Sequence, residues 1–237
     1  MKYIILIIII ILLFFSIHYL NNETVENFQN DDYIVTELDR NARKNAICEP
    51  IKKEWIDSYW IWTVPDSCEQ GLPHTRDKDI IAMPESYYGD YDKTIEHEKV
   101  HLNQRRDLDT WINFYKSSWD YEIFSEPPEF MPKELIEKRR ANPDISFHPW
   151  CCWRKRWWSV PIYKDDLSLS RASIMWYDQK EDVTLNKPPS EWIEFFGNKI
   201  SQVEHPHEIS AVILSEKSFR KNPAPAISII LNKFNLI

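Results

Sequence analysis

In the stretch TIEHEKVHLNQRRD, residues 94–107, His97 and His101 stand four positions apart and Glu98 directly follows the first of them. On an α-helix, positions i and i+4 lie one above the other on the same face. The two imidazoles would therefore project toward one point, at a separation that suits a single Zn2+. Glu98 is rotated by about 100° around the helix. It is poorly placed as a third ligand, but it can reach a water held at the metal. The chemistry such a pattern serves is hydrolysis, in which the metal acidifies the water and the glutamate takes its proton. The competing account is a solvated, charged helix that carries two histidines incidentally.

The elements around the motif decide between these accounts. Ile95, Val100 and Leu102 supply apolar contacts, and Asp90 or Asp92 can cap the helix start. Spacing and length predict one helix over about 93–118, with His97, His101, Gln104, Leu108, Ile112 and Tyr115 along one side. Just upstream, DIIAMPES (79–86) is a short apolar run bounded by charge and proline, which predicts a strand. A strand is also expected at 171–178, and helices at 33–47, 133–140 and 188–200. EHPHEISAVILSEKSF (204–219) predicts a helix with Pro206 in its first turn, where proline is tolerated. Metal binding is the favoured reading.

HEKVH in this setting resembles the zincin metallopeptidases. The resemblance covers the motif helix, the strand before it and the EHPHEISA helix. It implies an α+β zincin-like domain, a catalytic Zn2+ and a peptide substrate lying along an edge strand; DIIAMPES would be that edge, pairing by strand addition. The chain is also similar to small uncharacterised proteins, some from large DNA viruses, that combine PHT, HEKVH and QR with a later HPxE. Two departures stand out: Lys99 lies inside the motif, and Asn103 occupies a usually apolar position.

A catalytic zinc takes three protein ligands and leaves one position open. Glu208, in HPHEISA, is the first choice for the third ligand. It falls in the first helical turn, and Ala211 is small enough to let that helix approach the motif helix. The set would be His97, His101 and Glu208, as in the gluzincin branch. The plain alternative for Glu208 is a helix-start carboxylate favoured by the dipole. Two rivals stay open. Asp107 completes HExxHxxQxxD, close to the metzincin spacing, but Gln104 stands where that class uses glycine to leave the helix. Glu122 follows at a distance near that of thermolysin-like members. His205 and His207 flank Glu208 and could orient a ligand, donate to an oxyanion or cap the helix, the last being preferred. Tyr163 and Tyr177 are phenols that could donate to a tetrahedral intermediate, although a buried aromatic role suits each better.

Composition narrows the function classes. The chain has 237 residues, 43% hydrophobic and 28% charged, enough for one domain with an appendage. With only 3 glycines and no GxGxxG or Walker pattern, a phosphate-cradling loop is excluded. A net charge of −8 argues against a nucleic-acid partner. WCCWRKRWW (150–158) mixes tryptophan with basic residues; packed tryptophans with stacked arginines are preferred over a membrane-interface patch. Cys48 and Cys68 could bridge or stay as buried thiols, and Cys151 and Cys152 are adjacent.

The N-terminus is apolar without interruption from Tyr3 to Ile17, and residues 3–20 approach the length that spans a bilayer. The expectation is a transmembrane anchor at 1–20, with a cleaved signal peptide as alternative, and an acidic linker at 21–32. Lys2 before the run and acidic residues after it place the N-terminus in the cytosol and the domain at 33–237 on the lumenal or extracellular side. The functional expectation is a membrane-anchored zinc metallopeptidase in which Glu98 is the general base. An inactive zincin-like structural or binding domain displayed on a membrane is the alternative.

Overall fold

The run YWIWTV forms strand β2 (Tyr59–Val64), whose Tyr59, Ile61, Trp62 and Val64 are buried. It pairs antiparallel with the exposed β1 (Lys52–Ile56) and parallel with β4 (Ile80–Pro84); β4 in turn pairs antiparallel with β3 (His74–Arg76). The sheet order is therefore β1-β2-β4-β3. The computed structural model describes residues 36–236. All of them belong to one unit, Asp32–Ile237. The expectation that DIIAMPES forms an edge is corrected: β4 has a strand on each side, and all five of its residues are buried. Its nearly continuous apolar composition is that of an interior strand.

Helix α1 (Glu37–Arg43) precedes this sheet and is capped by Thr36, whose side chain accepts from Asp39 N. A Cys48–Cys68 disulfide ties the chain after α1 to a 3-10 turn at Cys68–Gly71. The motif helix α2 (Tyr91–Arg106) follows β4, capped by Asp90 through Lys93 N. Its Ile95 and Leu102 pack on Tyr59, Ile61, Ile81 and Met83 of the sheet. The single helix expected over 93–118 is two. At Asp107 (φ −133°, ψ 53°) the backbone leaves helical geometry, and α3 (Leu108–Trp119) begins. The change of direction lets Trp111, Tyr115 and Trp119 enter the main core while α2 keeps its polar face for the site.

The second sheet is an antiparallel meander of β5 (Tyr121–Phe124), β6 (Trp150–Trp153), β7 (Trp157–Ile162), β8 (Ser173–Asp178) and β9 (Val183–Leu185). Strand side chains alternate between faces. Cys151, Trp153, Trp157 and Trp176 thus face the core made with α3, α5 (Ser190–Phe196), α6 (Pro206–Ser215) and α7 (Pro225–Lys233). Trp150, Cys152, Trp158 and Tyr177 face a smaller cluster with Met131 and Leu135, the latter on α4 (Lys133–Glu137). This two-sided burial explains the aromatic density of WCCWRKRWW. Arg154 and Arg156 stack over Trp153 and Trp157, with the guanidinium carbons 4.4 and 4.7 Å from the ring centroids.

The expected fold class, an α+β domain behind a transmembrane helix, is corrected in its second part. The described residues form an α+β domain, and none of their helices is long and apolar enough to cross a membrane. The longest, α2, has 16 residues and is strongly charged, whereas a span needs about 20 apolar residues. The single-pass placement, with the domain lumenal or extracellular, fails on the same finding. The anchor expected at 1–20 and the linker at 21–32 lie outside the described residues.

Candidate metal centre

Four residues per near-turn of α2 bring His97 and His101 together as the spacing requires, with ring centroids 4.8 Å apart. Their Nε2 atoms are 3.0 Å apart. Helix α6 packs against α2 and delivers Glu208 from its first turn. Glu208 Oε2 lies 3.3 Å from His97 Nε2 and 3.3 Å from His101 Nε2. A tetrahedral zinc with bonds of about 2.0–2.1 Å separates its ligand atoms by roughly 3.3 Å. The triangle of two nitrogens and one oxygen therefore fits one face of such a coordination sphere.

Neighbouring side chains set the direction of these donors. Gln104 Nε2 donates to His207 O (3.1 Å), Ser210 Oγ (2.9 Å) and Tyr115 OH (3.2 Å), which commits the amide oxygen to His101. His101 Nδ1 lies 2.7 Å from that oxygen and must carry a proton to donate to it. In the neutral ring, Nε2 then presents its lone pair to the site. On the other ligand, Asn142 Nδ2 donates to Glu208 Oε1 (2.7 Å), leaving Oε2 for the site. Such outer contacts fix ligand orientation in metal centres.

Three lone-pair-bearing atoms about 3 Å apart repel one another unless a cation lies among them. Without a metal, a proton serves. Burial opposes charging His101, but the Glu208 carboxylate, helped by Asp144, raises its pKa to about 10. Burial likewise opposes ionisation of Glu208, yet His101 and His97 hold its carboxyl well below the usual range.

Glu98 is buried and lines the same cleft as His97 and Glu208, with one carboxylate oxygen within 4.8 Å of a His101 ring nitrogen and of an Asp144 oxygen. Its Oε2 has no hydrogen-bond partner among the described residues. Burial first, then the Asp144 and Glu208 carboxylates, pushes its pKa well above the carboxylate range. Lys99, the discordant residue of the motif, points elsewhere: its Nζ pairs with Glu96 Oε1 at 2.9 Å and lies over the Tyr59 ring.

The triad opens on a cleft of about 410 Å3, lined among others by His74, Lys93, His97, Glu98, Arg140 and Glu208. The other expected residues lie apart from it. Asp107 joins α2 to α3 and Glu122 sits on β5 near Lys155; neither belongs to a group of metal-ligating atoms among the described residues. Tyr163 OH donates to Asp39, and Tyr177 OH donates to Asp182, so both phenols are engaged outside the cleft. His205 caps α6, its Nδ1 accepting from His207 N at 3.2 Å. His207 is buried against Tyr115, their rings 5.3 Å apart.

Sequence reasoning missed the supporting residues. Gln104 carried a usable signal, since it lies three positions after His101 on the same helical face. Asn142 and Asp144 carried none, because their partners Glu208, Thr75 and Glu98 are remote in the chain. Comparison of the chain with family models, with curated proteins and with solved structures yields no match.

Proposed function

We propose that this protein is a zinc-dependent peptide hydrolase of zincin type, with His97, His101 and Glu208 as the metal ligands and Glu98 as the general base. The observation that carries the reading is the convergence of three oriented lone-pair atoms, 3.0, 3.3 and 3.3 Å apart, beside a cleft that His97 and Glu208 line. When bound, Zn2+ polarises a carbonyl, lowers the pKa of water and, by its charge, lowers that of Glu98 as well. Gln104 and Asn142 keep His101 and Glu208 in register. Glu98, with a free oxygen at the site, accepts a proton from the attacking water and returns it to the leaving amine nitrogen. Burial of His101, Glu98 and Glu208 keeps bulk water away from these charges.

The test is metal content together with turnover. Purified protein is expected to hold one zinc per chain and to cleave members of a general peptide library. Glu98→Ala should keep the zinc and lose the cleavage. Absence of stoichiometric zinc refutes the reading. Zinc without turnover in the parent points to a binding domain built on the same site.

A further inference from the structure

A second cavity, of about 820 Å3, is bounded by the start of α1, the turn after β5, the end of α4 and the start of β6. Asn142 is the one described residue that lines both it and the metal cleft. Leu38, Pro127, Ile136, Phe147 and Trp150 give this cavity an apolar wall. Its volume falls within the roughly 300–1,000 Å3 of sites that hold small organic ligands.

One charged group in the wall has nothing to balance it. Arg139 is 4% exposed, yet no hydrogen bond or ion pair among the described residues holds its guanidinium. The guanidinium carbon lies over the Trp150 ring, 5.1 Å from the centroid. Neighbouring buried arginines are committed, Arg43 to Asp39 and Glu69, and Arg140 to Glu204. Asp39, the carboxylate whose charge acts most strongly on Arg139, is taken up by Arg43, Tyr163 and the Ala141 N–H. Burial opposes the charge on Arg139, but a guanidinium keeps its proton in a protein. A buried cation without a counter-charge is costly. The guanidinium is also within reach of a ligand. Arg139 lines the cavity, and its nitrogens are not among the sealed atoms that lack a partner.

The remaining charges narrow the head group. Glu37, Glu126 and Glu137 line the same cavity; Glu37 pairs with Arg40 and Glu137 with Lys133. Lys138 is paired with Glu134. Three carboxylates oppose a multiply charged anion, whereas a single negative charge gains more from the guanidinium than it loses to them.

We propose that this cavity binds a small amphipathic monocarboxylate, whose head group accepts a bidentate pair of hydrogen bonds from Arg139 and whose hydrocarbon body lies along Leu38, Ile136, Phe147 and Trp150. The geometry suits this head group because the planar fork of arginine matches a carboxylate. The site is separate from the metal ligands, and the proposal stands whether or not the zinc reading does.

The experiment titrates the full chain with a dansyl-labelled undecanoic acid and displaces the dye with dodecanoate or with dodecanol, in zinc and again in chelator. Dodecanoate should bind roughly tenfold or more tightly than dodecanol in both conditions, because the alcohol cannot make the charged pair. Arg139→Met, which keeps an unbranched apolar chain, should bring the acid down to the affinity of the alcohol and leave zinc content unchanged. Equal displacement by acid and alcohol, acid binding that disappears in chelator, unchanged acid binding by Arg139→Met, or no binding of the dye overturns the proposal. The comparison of acid with alcohol uses only the parent protein, so a variant that fails to fold leaves the test standing.

Discussion

Replacing Gln104 by leucine removes the acceptor that fixes His101 while touching no ligand. His101 Nδ1–H then loses its partner at 2.7 Å, and the ring is free to rotate or change tautomer. Loss of such an outer contact lowers metal affinity by roughly 10–100-fold, or about 1.4–2.7 kcal/mol. The metal-free fold loses less than the full network. Tyr115 OH and Ser210 Oγ keep each other at 2.8 Å, and Ser210 Oγ keeps His207 O at 2.9 Å. One buried imidazole N–H is stranded, a cost of about 1–3 kcal/mol against a domain stability of about 5–15 kcal/mol. The variant should therefore stay folded and bind zinc more weakly. Competition with a chromophoric chelator at fixed pH gives the affinity, and circular dichroism melts in chelator give the stability. Gln104→Glu keeps the acceptor for His101 but loses the donor to His207 O, so it should hold zinc more tightly than Gln104→Leu. If Gln104→Leu binds zinc within twofold of the parent, the assignment of Gln104 as the group that orients His101 is wrong.

Reduction or Cys48→Ser should destabilise the domain by about 3 kcal/mol, from closure of a 20-residue separation, read as a lower denaturant midpoint. Ala211 is fully buried on α6, three positions after Glu208; Ala211→Leu should cost about 1–3 kcal/mol by overpacking and weaken zinc binding as α6 shifts, and unchanged zinc affinity would refute that role. Acid should unfold the wall beside the cleft in two stages. Burial, then the charge of Arg76, lowers the His74 pKa from 6.5 to about 4, so its contribution is complete above pH 6.5 and fades as pH falls through 4. Burial would raise Glu69, but hydrogen bonds and charge from Arg43 hold it at about 2, so its share is complete above pH 4.5 and fades as pH falls through 2. Each shift corresponds to roughly 3 kcal/mol. His74→Phe should flatten the upper stage and Glu69→Gln the lower one, and a melting temperature unchanged between pH 6.5 and 4 would contradict the His74 assignment.

What was legible in the sequence was local. Helical period alone places His97 and His101 on one face, and the chain needs no distant partner for that. Asp90 before the helix, Pro206 at the start of α6 and the apolar run of β4 announce their elements for the same reason: capping, φ restriction and side-chain hydrophobicity act within a few residues. Tertiary packing made the remaining decisions. Glu208, Asp107 and Glu122 are all carboxylates of plausible spacing, and only the docking of α6 on α2 brings Glu208 to 3.3 Å from both imidazoles. Strand order is equally invisible locally, so β4 reads as a strand but not as an interior one, and nothing near Thr75 reveals that Asp144 and Arg105 close the β3 edge. The division at Asp107 escapes a periodicity argument because the apolar stripe runs on past it, while α2 and α3 face different surroundings. Spacing along one helix is set by covalent geometry, which a sequence carries in full. Contact between remote segments is set by which surfaces bury best together, and that is settled only when the whole chain folds.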